Sequence, residues 1–243
     1  MALSDIELGF PVFESIQLWI DSEYRTGPMN MAIDQLLLET IDEQPILRVY
    51  NWSVPTVSFG YFLPLADVKL KYADEELQYV RRITGGGIVD HRQDSTYTLI
   101  IPKSHPLSQA RGDTSYQIIH QALSNALVSR QQPVKLASSE CSTLTPERVR
   151  SCQDCFVNPV RYDLMNDSGV KIAGAGQKRS RTGLLHQGSL AGSVQLTNEH
   201  LAESLADELS ERRRLVDFDS DFLNQAEQVS RERYASRQWL EKK

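Results

Sequence analysis

Residues 81–91 read Arg81-Arg82-Ile83-Thr84-Gly85-Gly86-Gly87-Ile88-Val89-Asp90-His91. A strand is predicted just before three consecutive glycines, which let the backbone pass very close to a ligand or to another strand. Arg82 carries a planar, permanently charged guanidinium that suits a carboxylate or a phosphate. The alternative is a flexible turn with a surface arginine. The glycine spacing is neither that of a Walker loop nor that of a dinucleotide-binding fingerprint.

A second stretch, Val170-Lys171-Ile172-Ala173-Gly174-Ala175-Gly176-Gln177, follows the hairpin signature Asn166-Asp167-Ser168-Gly169. Strand alternation puts Lys171 on the face opposite to its apolar neighbours. A solvated strand face is the common interpretation for such a lysine. The small residues that follow it favour a close approach to a ligand, where the lysine would neutralise an acyl oxygen or a phosphate.

Cys155 is the third candidate, in the sequence Cys152-Gln153-Asp154-Cys155. A Cys-x-x-Cys pair is typical of a redox site or of half a zinc site, but a second pair of ligands at short spacing is missing. We therefore predict no metal site. The remaining interpretations are a buried inert thiol and a nucleophilic Cys155.

Two histidines lie beside glycines. His91 lies just after the triple glycine, and His186 precedes Gln187-Gly188-Ser189, so both are candidate neighbours of a site. His120 falls on a predicted helix, and we expect it to be partly exposed.

Composition restricts the class of protein. The chain has 243 residues and a formal net charge of −6, which argues against nonspecific nucleic-acid binding. No stretch approaches the ~20 apolar residues of a membrane span, and the N-terminus lacks the basic region of a signal peptide. Three cysteines in a chain of this length favour a reducing compartment, so we expect a cytoplasmic location.

The predicted elements favour an α+β fold. Strands come mostly in runs, with helices between some of them, which predicts a mixed, largely antiparallel sheet flanked by helices. We expect one catalytic domain over residues 1–243, with a core at about 15–210 and a helical tail at 211–243. Arg212 to Arg214 are assigned to a helix end, where cations favour the negative pole of the dipole.

Four motifs, in order and in register, resemble the lipoate-protein ligase and octanoyltransferase family. They are Asn30-Met31-Ala32-Ile33-Asp34, the stretch from Arg81 to Gly87, the stretch from Lys171 to Gln177, and His186-Gln187-Gly188-Ser189. The resemblance implies a fold like that of the biotin and lipoyl protein ligases, with an acyl tunnel beside the glycines. It implies that Lys171 contacts the acyl carbonyl or a phosphate, and that the substrate is bound by Arg82, Thr84, Gly85, Gly86, Gly87, His91, Gly174, Gln177 and Gly188.

The residues from Cys155 to Leu164 match the pattern Cys-Phe-x-x-Pro-x-x-Tyr-Asp-Leu of the cysteine-dependent octanoyltransferases. This resemblance implies that Cys155 and Lys171 are catalytic. It implies an octanoyltransferase or lipoyltransferase that needs no cofactor. The donor would be an acyl carrier protein thioester, and the acceptor a lysine of a lipoyl-domain protein such as glycine cleavage H protein or a 2-oxoacid dehydrogenase subunit.

Two alternatives remain open at the level of sequence. The first is an ATP-dependent lipoate-protein ligase that uses ATP and Mg and acts through lipoyl-adenylate, with a structural Cys155. The second is a non-catalytic acyl-binding module that keeps the tunnel without turnover. Gln187, which stands where the family commonly has histidine, is a departure from the pattern.

Overall fold

The computed structural model describes residues 9–73, 76–138, 159–194 and 196–242. The helices are Gly27–Thr40 (α1), Leu65–Lys71 (α2), Pro106–Gln109 (α3), Gly112–Ser129 (α4), Asn198–Leu209 (α5), Ser220–Val229 (α6) and Arg237–Leu240 (α7), with a π-helical turn at Ser230–Tyr234. The strands are Phe13–Arg25 (β1), Ile46–Trp52 (β2), Thr56–Phe59 (β3), Gln78–Arg81 (β4), Ile88–Asp90 (β5), Asp94–Pro102 (β6), Val134–Leu136 (β7), Leu164–Asn166 (β8), Lys171–Arg179 (β9), Gly183–Ala191 (β10) and Ser210–Leu215 (β11).

Eight of these strands form one mixed sheet in the order β11-β1-β2-β6-β10-β9-β8-β7. β1 pairs in parallel with β11 and with β2, and every other neighbouring pair is antiparallel. The predicted hairpin joins β8 to β9, and Gly169 takes a φ of 74° in its turn, where a side chain would be strained. The predicted α+β class with a largely antiparallel sheet is confirmed.

Helices cover both faces of this sheet because successive strand residues point to opposite sides. On one face Leu47 and Leu99 pack with α4 and α5. On the other face Ile46 and Ile100 pack with α1 and with the C-terminal helices. The four strand residues are neighbours in register across β2 and β6, so two separate cores share one sheet.

A second sheet, of order β4-β3-β5, carries the triple glycine between β4 and β5. Arg81 at the end of β4 is buried, and its guanidinium donates to carbonyls of the C-terminal segment, namely those of Trp239, Leu240 and Lys242. It also donates to the carbonyls of Tyr61 and Leu63 at 2.7 Å each. The C-terminal segment is thereby fixed against the strand that leads into the glycines.

The prediction of a wholly helical tail is wrong at its start. α5 ends at Leu209, and Ser210–Leu215 forms the edge strand β11, which pairs in parallel with β1. The arginines from Arg212 to Arg214 therefore lie on a sheet edge, where cationic side chains discourage pairing with another chain. Within the described ranges, no helix has the length and apolar character that a bilayer span requires. The cytoplasmic location stays a prediction.

Candidate active site

A pocket lies where the second sheet faces β9 and β10 of the main sheet. Its glycine-loop wall consists of Ser58, Arg82, Val89 and His91. Its β9 wall consists of Lys171, Gly174, Ala175 and Gly176, and β10 adds Gln187, Gly188 and Ser189. Met31, Tyr50, Trp52 and Thr96 complete the lining.

The glycine loop, residues Thr84 to Gly87, is held from inside by Arg82. The Arg82 guanidinium donates to the carbonyl oxygens of Gly85 at 3.2 Å and Gly87 at 2.9 Å, and to Ser58 Oγ at 2.7 Å. Gly86 has a φ of 97°, a conformation that residues with a Cβ rarely adopt. The arginine is 6% exposed, so the interpretation as a surface arginine beside a flexible turn is wrong.

Glycines also bring the loop into contact with its neighbours. A Cβ on Gly176 of β9 would lie 2.6 Å from the carbonyl oxygen of Gly85 and 3.0 Å from Thr84 Oγ1. A Cβ on Gly60, which follows β3, would overlap the carbonyl of Gly86. A Cβ on Gly85 itself would meet nothing within 4 Å. The close approach predicted from the sequence is therefore between the loop and two other backbone segments.

Lys171 is buried in the β9 wall and forms an ion pair of 2.7 Å with Asp163. Tyr116 of α4 donates to the same carboxylate at 2.5 Å, and the backbone N–H of Val160 donates to it at 2.6 Å. The lysine crosses Gly174 so closely that a Cβ there would lie 2.6 Å from Nζ. Burial, and then the charge of Asp163, raise the pKa of Tyr116, so this hydroxyl stays a donor. The solvated strand face is excluded.

His91 connects the glycine-loop wall to β10 through a chain of hydrogen bonds. Its Nε2 lies 2.6 Å from Ser58 Oγ, and its Nδ1 lies 2.7 Å from Asp94 Oδ2. Its ring stacks on Trp52 with 4.0 Å between centroids. Ser189 of β10 also donates to Asp94 Oδ2. The orientation of the imidazole is therefore fixed on both edges and on one face.

Two more histidines are buried behind the β9 wall, between α4 and β10. His120 is fully buried, and the prediction that it is partly exposed is wrong. Burial lowers its pKa to about 3, although its Nδ1 lies 2.7 Å from the carbonyl of Tyr162. Burial, and then the proximity of His120, also lower the pKa of His186. Both imidazoles are therefore neutral at physiological pH.

A buried polar network connects the N-terminal helix to the glycine loop. Asp34 of α1 pairs with Arg48 at 2.9 Å and accepts from Gln187 Nε2 at 2.7 Å. Gln187 Oε1 in turn accepts from Thr84 Oγ1 at 2.8 Å. The Asn30-to-Asp34 motif therefore positions the loop from the core.

The sequence model of the lipoyl protein ligase A/B catalytic domain matches residues 26–230. The chain belongs to this family. It is 32% identical over 182 residues to octanoyltransferase LipM of Brevibacillus brevis, a match that covers 71% of this chain and 64% of that protein. It is 32% identical over 178 residues to octanoyltransferase LipM of Staphylococcus aureus, covering 69% of this chain and 62% of that protein. The matched region thus spans less than two thirds of the length of these relatives.

Solved structures share the fold of this lipoyl ligase family member. A Thermoplasma acidophilum protein with bound lipoic acid superposes with a TM-score of 0.69 at 18% identity, covering 93% of this chain and 99% of that chain. Lipoate-protein ligase A bound with ATP superposes with a TM-score of 0.65 at 16% identity, covering 94% and 98%. These similarities confirm a lipoyl-ligase-like fold.

The structure brings together part of the residue set that the family resemblance implies. Arg82, His91, Lys171, Gly174 and Gly188 line the pocket. The remaining described members of the set are not among the lining residues; they are Thr84, Gly85, Gly86, Gly87 and Gln177.

These five residues lie behind the lining or shape the loop. Thr84 is buried behind the lining, and Gly85 to Gly87 shape the loop. Gln177 bonds Ser115 and His186 at 3.0 Å each, on the side of α4. Cys155 and the other two cysteines lie outside the described residues.

Local sequence patterns did not identify several contributors to the pocket. Ser58 and Trp52 carry no motif, and Asp163 stands eight residues before Lys171 inside the Tyr-Asp-Leu of the cysteine pattern. Asp94 follows His91 by three residues, a spacing that could have indicated a histidine–carboxylate pair. Each of them reaches the pocket through strand pairing or through the loop before β8.

Proposed function

We propose that this chain moves an octanoyl group from an acyl carrier protein thioester to a lysine of a lipoyl-domain protein, through an acyl-enzyme on Cys155. The observation that carries the proposal is the buried ammonium of Lys171 at a pocket wall made of small residues. A fixed cation in a water-poor site stabilises the negative charge that develops on a carbonyl oxygen during acyl transfer. Asp163 and Tyr116 hold that cation in place.

The reaction would proceed in two transfers. The Cys155 thiolate attacks the carrier thioester, the new carbon–sulfur bond forms, and the carrier thiol leaves. The lysine amine of the acceptor then attacks the acyl-enzyme, so that an amide bond forms and the Cys155 sulfur is released. Lys171 faces the carbonyl oxygen in both tetrahedral intermediates. A thioester donor supplies the driving force, so the proposal includes no ATP, Mg or other cofactor.

Two further observations support this assignment over the ligase. The residues from Cys155 to Leu164 resemble the pattern of the cysteine-dependent octanoyltransferases. The relatives at about 32% identity are named octanoyltransferases. The ATP-bound lipoate-protein ligase A is similar in fold at 16% identity, which carries no information on the donor.

Mass spectrometry of the intact protein tests the proposal. Incubation with octanoyl-carrier protein and no ATP should add one octanoyl group, and peptide mapping should place it on Cys155. Addition of a lipoyl domain should move the group to the acceptor lysine. Cys155→Ser should form no thioester adduct, whereas the matched variant Cys152→Ser should form it, because Cys152 lies outside the family pattern.

The ligase alternative gives the opposite result. Cys155→Ala would then lipoylate the acceptor at the full rate with ATP and free lipoate, and no protein would react with the carrier thioester. A protein that binds octanoate but transfers it from neither donor would be an acyl-binding module. Either result overturns the proposed transferase.

A further inference from the structure

An acceptor lysine needs a base at the pocket. A free lysine has a pKa near ~10.4, so it arrives as an ammonium and must lose a proton before its nitrogen can attack. Lys171 is held in an ion pair with Asp163, and Arg82 is a permanent cation. Burial, and then the charge of Asp34, raise the pKa of Tyr50, which keeps that phenol neutral. Of the described lining residues, His91 is the group whose ring nitrogen can take a proton.

The hydrogen bonds around His91 place Ser58 between Nε2 of the imidazole and the pocket. With Nδ1 donating to Asp94, Nε2 is the acceptor and receives the hydroxyl hydrogen of Ser58 at 2.6 Å. A hydroxyl has one hydrogen and two lone pairs. Arg82 donates to Ser58 Oγ at 2.7 Å and uses one lone pair. The other lone pair of Ser58 can accept from an ammonium in the pocket that Ser58 lines.

Asp94 holds the Nδ1 edge of His91. Its side chain is 2% exposed, and among the described residues His91 is the one basic group in ion-pair contact with it. Thr96 and Ser189 donate to the same carboxylate oxygen, Oδ2, that faces the imidazole. The other oxygen, Oδ1, is buried without a hydrogen-bond partner in the described part of the chain. The carboxylate is thereby fixed with Oδ2 against Nδ1 of His91.

We propose that Ser58, His91 and Asp94 form a proton relay that deprotonates the acceptor lysine. The inference rests on the proposed acyl transfer and adds the group that activates its acceptor. One ammonium proton passes to Ser58 Oγ while the Ser58 hydrogen passes to His91 Nε2, and Asp94 balances the imidazolium. The freed lone pair forms the carbon–nitrogen bond and the carbon–sulfur bond breaks. The released thiolate takes a second proton from the nitrogen, and the imidazolium gives the first to water.

The test separates deprotonation of the acceptor from every other step. The octanoylated enzyme is mixed with a lipoyl domain or with hydroxylamine, whose nitrogen is already unprotonated at neutral pH and needs no relay. His91→Gln should slow transfer to lysine by about 100- to 10,000-fold, the usual contribution of a general base. Its transfer to hydroxylamine, and the first octanoylation, should fall far less. His200→Gln, on an exposed helical position, is the matched control.

The pH dependence and a second variant sharpen the test. In His91→Gln the rate of transfer to lysine should rise about tenfold per pH unit, because the free-amine fraction rises in that way below a pKa of ~10.4. Ser58→Ala removes a single oxygen and keeps the test available if the histidine variant folds poorly. It should show the same selective loss, and the double variant should lose no more than either single variant, since the two act as a unit.

Three results would overturn the relay alone. They are wild-type transfer to lysine by folded His91→Gln, equal slowing with lysine and hydroxylamine, and equal slowing of the first octanoylation. If the wild-type protein forms no adduct with the carrier, the comparison of lysine with hydroxylamine is run with octanoate and ATP, so the relay is tested even when the transferase is excluded. Failure of transfer from both donors rejects the proposed function and the relay together.

Discussion

The two walls of the pocket each hold a buried cation, but they compensate its charge differently. On the β9 wall, Lys171 pairs with the buried carboxylate of Asp163. On the glycine-loop wall, Arg82 donates to two backbone carbonyls and to the Ser58 hydroxyl. One wall therefore contains a charge pair in which each partner depends on the other. On the other wall, the acceptors that Arg82 contacts in the described part of the chain are neutral oxygens.

This difference indicates that Arg82 shapes the glycine loop, whereas Lys171 presents a charge to the pocket. An arginine that binds the carbonyls of Gly85 and Gly87 fixes the shape of the loop, and its removal leaves these neutral acceptors unsatisfied. A lysine paired with a buried carboxylate presents a fixed charge to the pocket, and its removal leaves an uncompensated anion. We therefore expect the larger effects on both rate and stability from the β9 wall.

The largest effect is expected for Lys171→Met. Octanoyl transfer should fall by about 100- to 1,000-fold, the usual loss for one oxyanion-stabilising group. The free energy of unfolding should fall by about 3–5 kcal/mol, because Asp163 is left buried and unpaired. Arg82→Met should cost only about 1–3 kcal/mol of unfolding free energy, the cost of unsatisfied neutral acceptors. Urea unfolding and single-turnover transfer measure the two quantities.

The double variant Lys171→Met/Asp163→Asn is the control for this comparison. The amide keeps an oxygen for the hydroxyl of Tyr116 and removes the charge, but its NH2 group then faces the N–H of Val160, so part of the lost stability should return while activity stays low. Equal destabilisation by Lys171→Met and Arg82→Met would show that the two walls do not differ in the way described.

A smaller effect is expected where the two walls touch. Gly176→Ala would place a methyl group 2.6 Å from the carbonyl oxygen of Gly85, and both segments are backbone that cannot turn aside. Overpacking of this kind costs about 1–3 kcal/mol, and transfer should slow because the loop is displaced. Gly85→Ala is the matched variant, since its Cβ would meet nothing within 4 Å.

Thermal unfolding and transfer assays should rank the two alanine variants in that order. If Gly85→Ala is as harmful as Gly176→Ala, the glycines are required for backbone conformation or for ligand contact, and their role is not the approach of the two walls.

The glycine-loop wall was the easier wall to predict from sequence. Its loop and His91 lie within eleven consecutive residues, and the triple glycine marks a close backbone approach whatever the approaching group is. What the sequence could not show is the partner, because Gly176 comes from β9, about ninety residues away. Ser58 was missed for the same reason: antiparallel pairing of β3 with β5 places it beside Val89, next to the histidine.

The β9 wall and the sheet edge depended on contacts that local patterns do not encode. From its sequence neighbours Lys171 is predicted to be a surface lysine. The ion pair with Asp163, from the loop before β8, and the contact of Asp163 with Tyr116 of α4 cannot be predicted from those neighbours. The arginines of β11 continue a helical pattern in sequence, but parallel pairing with β1, which starts at Phe13, overrides it. His120 was predictable in principle, since it stands three residues before buried Leu123 on one helix face.

The smallest expected effect is the pH dependence of stability that comes from the buried histidine His120. His91 has a carboxylate partner, whereas His120 contacts Tyr116, the carbonyl of Tyr162 and His186, and none of these groups is a carboxylate. Burial lowers the pKa of His120 to about 3, against ~6.5 in the unfolded chain. Between these values the unfolded state binds one more proton, so stability is fully present above pH ~6.5 and falls as the pH falls toward 3. The free energy of unfolding should fall by about 1.4 kcal/mol per pH unit for each such histidine.

Denaturant unfolding between pH ~6.5 and ~5, above the range in which carboxylates titrate, should show this slope. His120→Phe, which keeps a ring against Tyr116, should reduce it by one proton, and the exposed control His200→Phe should leave it unchanged. An unchanged slope in His120→Phe would show that the loss of stability at acid pH comes from His186 or from another group, and not from His120.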